Sequence, residues 1–143
     1  MGTTPTEPDI TIFIPCLFKE MGTADIIIPY FLEIRNRSAY RKVISKLYTL
    51  LVNLASGYHL HYYNGCPLYR REHVLRYHVE ATGFGYRAEF LTRLIYEGKT
   101  YREIPLIGYD RKGSTSINVK NLLSVGHSLM TIALRRLRVI LFE

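Results

Sequence analysis

The sequence predicts one α/β domain, in which short buried strands alternate with helices. The chain has 143 residues, a length that fits a single domain. Apolar residues make up 48% of it and charged residues 22%, which is the balance of a globular protein and not of a disordered one. Short apolar runs alternate with segments of helical apolar spacing, and this order is typical of an α/β sheet.

Two apolar runs near the N-terminus predict buried strands. Residues 10–14 form the first run, which ends at Pro15, and residues 24–29 form the second. Parallel neighbouring strands need a crossover of about a dozen residues, and residues 16–23 are too few to supply one. The two strands are therefore antiparallel, or not neighbours, or separated in relatives by a block that this chain lacks.

Residues 38–57 predict the longest helix before the C-terminal one. Ser38 is suited to cap its start and Gly57 to end it. The apolar residues of this segment recur at helical spacing. They are Val43, Ile44, Leu47, Leu50, Leu51 and Leu54.

The middle of the chain predicts one extended segment and two helices. Residues 67–69 are extended, and residues 72–81 form a helix that ends before Gly83. Residues 87–96 form a further helix, which Gly98 closes.

The last third of the chain predicts a strand and a long helix. Residues 100–109 alternate between apolar and polar and predict a strand, which is an edge strand or a late one because Pro105 cannot donate to a ladder. A helix then begins at Asn118 and runs toward Phe142. The predicted organisation is a disordered N-terminus (1–9), one domain (10–110), and a basic loop with an amphipathic membrane-surface helix (111–143).

The net charge of +7 and the pI near 9.5 favour polyanionic partners, whether nucleic acid, anionic lipid or phosphorylated substrates. Cys16 and Cys66 have neither metal-site spacing nor a disulfide pattern, which predicts a reduced, cytoplasmic protein. The histidines lack the spacing of a known metal site as well. No signal peptide and no run of about 18 apolar residues is present, so we expect any membrane contact to be peripheral.

The C-terminal helix combines an apolar face with a cluster of arginines, Arg135, Arg136 and Arg138. This combination predicts a helix that lies among the headgroups of an anionic bilayer. The alternative is a helix that packs on the core and ends in a solvated basic tail.

Three ordered motifs carry a family resemblance. They are residues 63–71 (Tyr-Asn-Gly-Cys-Pro-Leu-Tyr-Arg-Arg), 83–91 (Gly-Phe-Gly-Tyr-Arg-Ala-Glu-Phe-Leu) and 104–111 (Ile-Pro-Leu-Ile-Gly-Tyr-Asp-Arg). Together they resemble the C-terminal half of family 2 glycosyltransferases, in the branch that passes a sugar to dolichol or polyprenol phosphate. The resemblance implies a truncated, Rossmann-like GT-A sheet of the nucleotide-diphospho-sugar transferases.

The resemblance also implies the roles of several residues. Glu89 would orient a sugar hydroxyl, although its spacing equally allows a helix pair with Arg93. A further set would contact the acceptor or its phosphate, although adjacent basic residues also commonly face solvent. That set is Asn64, Gly65, Arg70, Arg71, Arg111, Lys112 and Ser114.

The donor side of the family pattern is largely absent from this sequence. Residues 14–16 (Ile-Pro-Cys) and Glu20 agree with the first motif of the branch, whereas residues 17–19 (Leu-Phe-Lys) depart from it. The chain has no Asp-x-Asp, the acidic pattern that would hold Mg²⁺ or Mn²⁺ in a full-length relative. We therefore expect no cofactor in this chain, no nucleotide-sugar binding and no transfer activity.

The function expected from the sequence is a glycosyltransferase-like protein at the cytoplasmic face of a membrane. Its expected partners are an anionic membrane surface or a polyprenyl phosphate. The alternative is a non-catalytic basic adaptor that binds the membrane or a partner transferase. A nucleic-acid binder is supported only by charge and tyrosine content, without a stacking motif, and no specific nucleic acid is expected.

Overall fold

The computed structural model describes residues 17–35, 37–77, 85–109 and 119–142, and this part of the chain has a mixed α/β fold. Its strands are β1 (Ile26–Arg35), β2 (Leu68–Tyr69) and β3 (Tyr101–Tyr109). Its helices are α1 (Ala39–Ser56), α2 (Arg71–Arg76), α3 (Gly85–Tyr96) and α4 (Val119–Phe142). The expected disorder of 1–9 and the expected strand at 10–14 lie outside the described residues.

The described strands form one mixed sheet in the order β2-β1-β3. β1 and β3 are parallel along nearly their whole length, whereas β2 is antiparallel and reaches only Ile26 and Ile27. β3 is therefore an edge strand within the described part, as Pro105 predicts. The α/β class predicted from the sequence is confirmed.

β1 is longer than the predicted strand, which was expected at 24–29. It begins at Ile26 and continues through the buried Pro29 to Arg35. A proline is tolerated here because β2 has already ended, so no strand of the described residues pairs with this side of β1 at Pro29. The turn at Gly65 lies against this position, since a Cβ on that glycine would come within 2.8 Å of the Pro29 carbonyl oxygen.

The core lies between the sheet and three helices, and α4 packs against both α1 and α3. α3 is the most deeply buried helix, with Ala88, Leu91 and Leu94 fully enclosed. Its first residue, Gly85, permits close contact with α4, because a Cβ there would lie 1.9 Å from Ser128 Oγ. The remaining core residues are Ile26, Ile28, Tyr48, Val52, Leu60, Tyr63, Phe90, Ile95 and Ile132.

The helix boundaries follow local backbone rules. Gly57 ends α1 in the left-handed conformation, with φ at 79°. Gly98 ends α3 at φ 77°, and the N–H groups of Gly98 and Lys99 donate to the carbonyls of Ile95 and Leu94. Ser38 occupies the N-cap of α1 without a side-chain cap bond. Thus both predicted glycine stops are confirmed.

Two helix boundaries differ from the prediction. α2 ends at Arg76 and Tyr77 is extended, although a helix was predicted through residue 81. α3 begins at Gly85 rather than at residue 87, because the close packing on α4 favours a glycine in its first turn. α4 begins within one residue of the prediction.

The loop between α1 and β2 is held by two side chains. The Asn53 amide donates to the Leu60 carbonyl and accepts from the Leu60 N–H and the Tyr63 hydroxyl. Arg87 of α3 donates Nη1 to the carbonyl oxygens of Asn64 and Gly65, at 2.9 and 3.3 Å. Asn53 thus ties the loop to α1, and Arg87 ties the Asn64–Gly65 turn to α3.

A set of polar contacts around Asp25 joins the starts of β1 and β3. The Asp25 carboxylate accepts hydrogen bonds from the Thr100 hydroxyl at 2.8 Å and the Thr100 N–H at 3.0 Å. Arg70 Nε lies 3.0 Å from the same carboxylate. The hydrogen bonds from Thr100, followed by the charge of Arg70, hold the pKa of Asp25 below its usual value of 3.8.

These contacts predict that Asp25→Asn lowers stability in a pH-dependent way. A carboxyl group whose pKa is lowered on folding stabilises the fold above its unfolded pKa, and this contribution is lost as pH falls through the lower folded value. The variant should therefore melt below wild type at pH 7, and the difference in Tm should shrink as the pH falls below 3.8. Thermal unfolding by circular dichroism across this range checks it; a difference that is independent of pH would contradict it.

Candidate functional site

A groove of about 530 Å³ separates the first halves of α1 and α4. The two helices run in the same direction, because Leu122 faces the start of α1 across the groove whereas Arg136 reaches the carbonyl oxygen of Leu54 near its end. We call this cavity the α1–α4 groove. Its volume falls in the range of small-molecule sites. Its apolar lining consists of Ile44, Leu47, Leu51, Leu122 and Val125.

Three residues that line the groove carry buried polar atoms for which the described part of the chain offers no hydrogen-bond partner. They are Arg37 at Nε, Tyr48 at its hydroxyl and Asn64 at Oδ1. Buried polar groups are nearly always paired in folded proteins, so this set is typical of a ligand site. Burial raises the pKa of Tyr48 to about 12, which keeps its hydroxyl protonated and able to donate at neutral pH.

The groove opens onto a broad apolar surface. Leu47, Leu51 and Leu122 line the groove and are also exposed. We call the exposed apolar side chains of α1 and α4, taken together, the apolar face; apolar side chains exposed along two neighbouring helices favour an interaction surface. Its members are Tyr40, Val43, Leu47, Leu50, Leu51, Leu54, Leu122, Leu123, Met130, Leu134, Leu137, Val139, Ile140 and Leu141.

The apolar spacing of α1 predicted a helix correctly but did not identify its buried side. Tyr48 and Val52 face the core, whereas Val43, Leu50 and Leu54 are exposed. A helix that is apolar on more than one face has more apolar surface than one core contact covers.

The C-terminal arginines occupy different environments. The Arg135 side chain is only 25% exposed, and its Nη2 lies 3.7 Å from Glu89 Oε1. Burial lowers the pKa of Arg135, and the charge of Glu89 opposes this shift. Arg136 donates to the Leu54 carbonyl at 2.8 Å, and Arg138 is exposed. The first two therefore join α4 to α3 and α1, and a membrane-surface role for the cluster stays a prediction.

Glu89 lies inside the protein, with 6% of its surface exposed. Its Oε1 pairs with Arg135, and its Oε2 is buried with no hydrogen-bond partner among the described residues. Arg93, the alternative partner expected from helical spacing, bonds Glu97 at 3.3 Å and stacks over Tyr77. A role for Glu89 toward a sugar hydroxyl stays a prediction.

Only some of the expected acceptor-side residues lie at the groove. Asn64 lines it, and Gly65 is buried in the adjacent turn. Arg70 pairs with Asp25 at the start of β1, and Arg71 is exposed in the first turn of α2. Arg111, Lys112 and Ser114 lie outside the described residues.

Sequence reasoning missed Arg37 and Tyr48 as groove residues. The available signal was the repeat of Tyr40, Ile44 and Tyr48 along α1, which places two hydroxyl groups on one side of an otherwise apolar helix. The repeat does not identify the partner helix, because α4 lies far along the chain.

No protein-family profile, curated protein or solved structure matches this chain. In the part of the chain that the structure describes, no group of three or more His, Cys, Asp or Glu side chains could hold a metal ion. None of the described helices is long and apolar enough to cross a membrane.

The Tyr48→Phe variant distinguishes an effect on ligand affinity from an effect on the free energy of unfolding. Removing a buried hydroxyl that has no partner should leave the free energy of unfolding unchanged or raise it slightly. If the hydroxyl bonds a ligand, the same change should weaken binding by about tenfold. Urea unfolding and titration with farnesyl phosphate check the two halves of this prediction. A variant that loses stability but keeps its affinity would contradict it.

Proposed function

We propose that this protein is a glycosyltransferase-like protein that binds a polyprenyl phosphate at a membrane surface and does not itself transfer a sugar. The observation that carries the proposal is the α1–α4 groove, which combines an apolar lining with buried, unpaired polar atoms. The family resemblance of the three sequence motifs supports the same class of lipid.

The lining of the groove matches the chemistry of such a lipid. A polyprenyl chain is a long, methyl-branched apolar chain that would lie along Leu47, Leu51 and Leu122. Its phosphate carries negative charge, and the Arg37 N–H and the Tyr48 hydroxyl are donors for phosphate oxygens. The Asn64 side-chain amide can rotate by half a turn about its Cβ–Cγ bond. It can therefore present either its oxygen or its NH₂ group to the ligand.

The apolar face supports a position at the membrane. It includes residues of the groove, so a lipid could enter from the bilayer without crossing water. The exposed Arg138 lies beside the apolar residues of α4 and would meet anionic headgroups. The helices would then lie in the interface and not across it.

Titration with farnesyl phosphate tests the proposal. Wild type should bind it one to one, and Arg37→Gln and Leu51→Gln should each weaken binding by at least about tenfold. Arg76→Gln is the matched control, because Arg76 is exposed on α2 and does not line the groove. Absence of binding, or equal affinity in all variants, would contradict the proposal.

A donor titration tests the expected lack of transfer. The absence of Asp-x-Asp removes the carboxylates that would hold a metal against the nucleotide diphosphate. We expect no binding of uridine or guanosine diphosphate sugars at micromolar concentration in calorimetry with Mn²⁺ present. A one-to-one isotherm in the micromolar range would show that this chain binds donors after all.

A non-catalytic adaptor is the second candidate, because the apolar face could also receive a partner transferase. The two candidates differ in their dependence on the lipid. An adaptor would bind anionic vesicles equally well with and without polyprenyl phosphate. The proposed lipid-binding protein should bind vesicles that contain it more tightly, and the groove variants should lose this gain.

A further inference from the structure

A second cavity, of about 510 Å³, lies between the second half of β1 and the polar side of α1. We call it the cationic cleft. It lies along residues 31–34 of β1, in the half of the strand nearer its carboxyl end. The groove and the cleft share Arg37, Ser45 and Tyr62, but the rest of the cleft lining is separate.

The cleft concentrates positive charge. Arg37, Lys42 and Lys46 line it, and within the described ranges no carboxylate forms an ion pair with any of them. Glu33 lies at the same cleft and is exposed. Three cations against one carboxylate give the cleft a net positive charge, which favours an anionic ligand.

His61 is held in a defined orientation at the cleft. Its backbone N–H donates to Glu103 Oε1 at 2.8 Å, and its ring Nδ1 lies 2.9 Å from Glu103 Oε2. The ring stacks on Tyr30 with 4.5 Å between centroids. Donation from Nδ1 to the carboxylate leaves Nε2 as the ring nitrogen without a described protein partner. This nitrogen can accept a ligand proton or, in the imidazolium form, donate to a ligand oxygen.

We propose that the cationic cleft binds a phosphate monoester, with Lys42, Lys46 and Arg37 as its cations and His61 as a ligand contact positioned by Glu103. A phosphate monoester carries close to two negative charges at neutral pH and several acceptor oxygens, which these groups complement. The ligand can be a free phosphorylated metabolite or the headgroup of a lipid. The cleft shares Arg37 with the α1–α4 groove, but Lys42, Lys46 and His61 do not line the groove, and phosphate recognition here needs no apolar chain.

Glycerol 3-phosphate, which has no lipid chain, is the probe for this site. In two-dimensional NMR, wild type should show saturable shifts in the His61 ring signals and in the amides of α1. Lys42→Gln/Lys46→Gln should weaken this binding by at least about tenfold, and Lys19→Gln, an exposed lysine outside the cleft, should leave it unchanged. Absence of shifts in wild type, or equal weakening in the Lys19 variant, would overturn the proposal.

A competition experiment identifies the source of the phosphate. If farnesyl phosphate displaces glycerol 3-phosphate, the cleft binds the headgroup of a lipid. If the two compounds bind at the same time, the cleft binds a free phosphorylated metabolite. Either result supports a phosphate site in the cleft. Leu51→Gln should weaken farnesyl phosphate but not glycerol 3-phosphate, because Leu51 lines only the groove. Leu51→Gln therefore tests lipid binding in the groove separately from phosphate binding in the cleft.

Discussion

Replacing Leu54, Leu123, Leu134 and Leu137 together with glutamine is expected to weaken binding to anionic vesicles by about a thousandfold. Each of these side chains is more than half exposed, and none lines the groove or the cationic cleft. Insertion of each leucine into the interface should contribute on the order of 1 kcal/mol, so four replacements remove about 4 kcal/mol. Vesicle co-sedimentation gives the affinities.

The matched control uses single replacements. Leu75 of α2 is 72% exposed and Leu123 of α4 is 70% exposed, so the two differ in position and not in exposure. Leu123→Gln should weaken vesicle binding by about fivefold, and Leu75→Gln should have no effect. Unfolding curves should coincide for all variants. Equal behaviour of the two single variants would show that the apolar face does not meet the bilayer.

Arg135→Met is expected to destabilise the fold by about 3 kcal/mol, the largest effect expected of any single change here. The substitution leaves the Glu89 carboxylate buried without its counter-charge. Arg138→Met is the control on the same helix; its side chain is exposed, so it should change stability by less than about 0.5 kcal/mol. Urea unfolding measures both.

The double variant Glu89→Leu/Arg135→Met tests the physical cause. Replacing both members of a buried ion pair with apolar residues removes the desolvation cost together with the attraction, so most of the lost stability should return. Additive losses in the double variant would show that the pair is not the reason for the effect.

Replacing Arg135, Arg136 and Arg138 together would change both folding and membrane binding, because Arg135 and Arg136 contact α3 and α1. Arg138→Gln is therefore the cleaner probe of headgroup contact.

Local rules were sufficient to predict several elements from the sequence. Gly57 and Gly98 end helices because each takes the left-handed conformation that closes a helix. Pro105 indicated an edge strand because a proline cannot donate to a second neighbour. Each of these outcomes depends on a residue and its immediate neighbours, so no knowledge of the packing was required.

The remaining features depend on residues that are distant in the chain. β1 continues through Pro29 because β2 ends early, and the sequence around the proline carries no sign of this. The unpaired atoms of the groove come from Arg37, Tyr48 and Asn64, which converge only when the loop after α1 folds back. Glu89 pairs with Arg135 across the α3–α4 contact, whereas sequence spacing offered only a partner on its own helix.

Photo-crosslinking in vesicles tests the proposed lipid binding most directly. The probe is a polyprenyl phosphate analogue with a diazirine on its chain, and labelled peptides are identified by mass spectrometry. We expect labelling of residues 40–51 of α1 and 121–125 of α4 that excess unlabelled polyprenyl phosphate suppresses and that Leu51→Gln reduces. Labelling that is absent, that spreads evenly over the exposed surface, or that excess lipid does not suppress would contradict it.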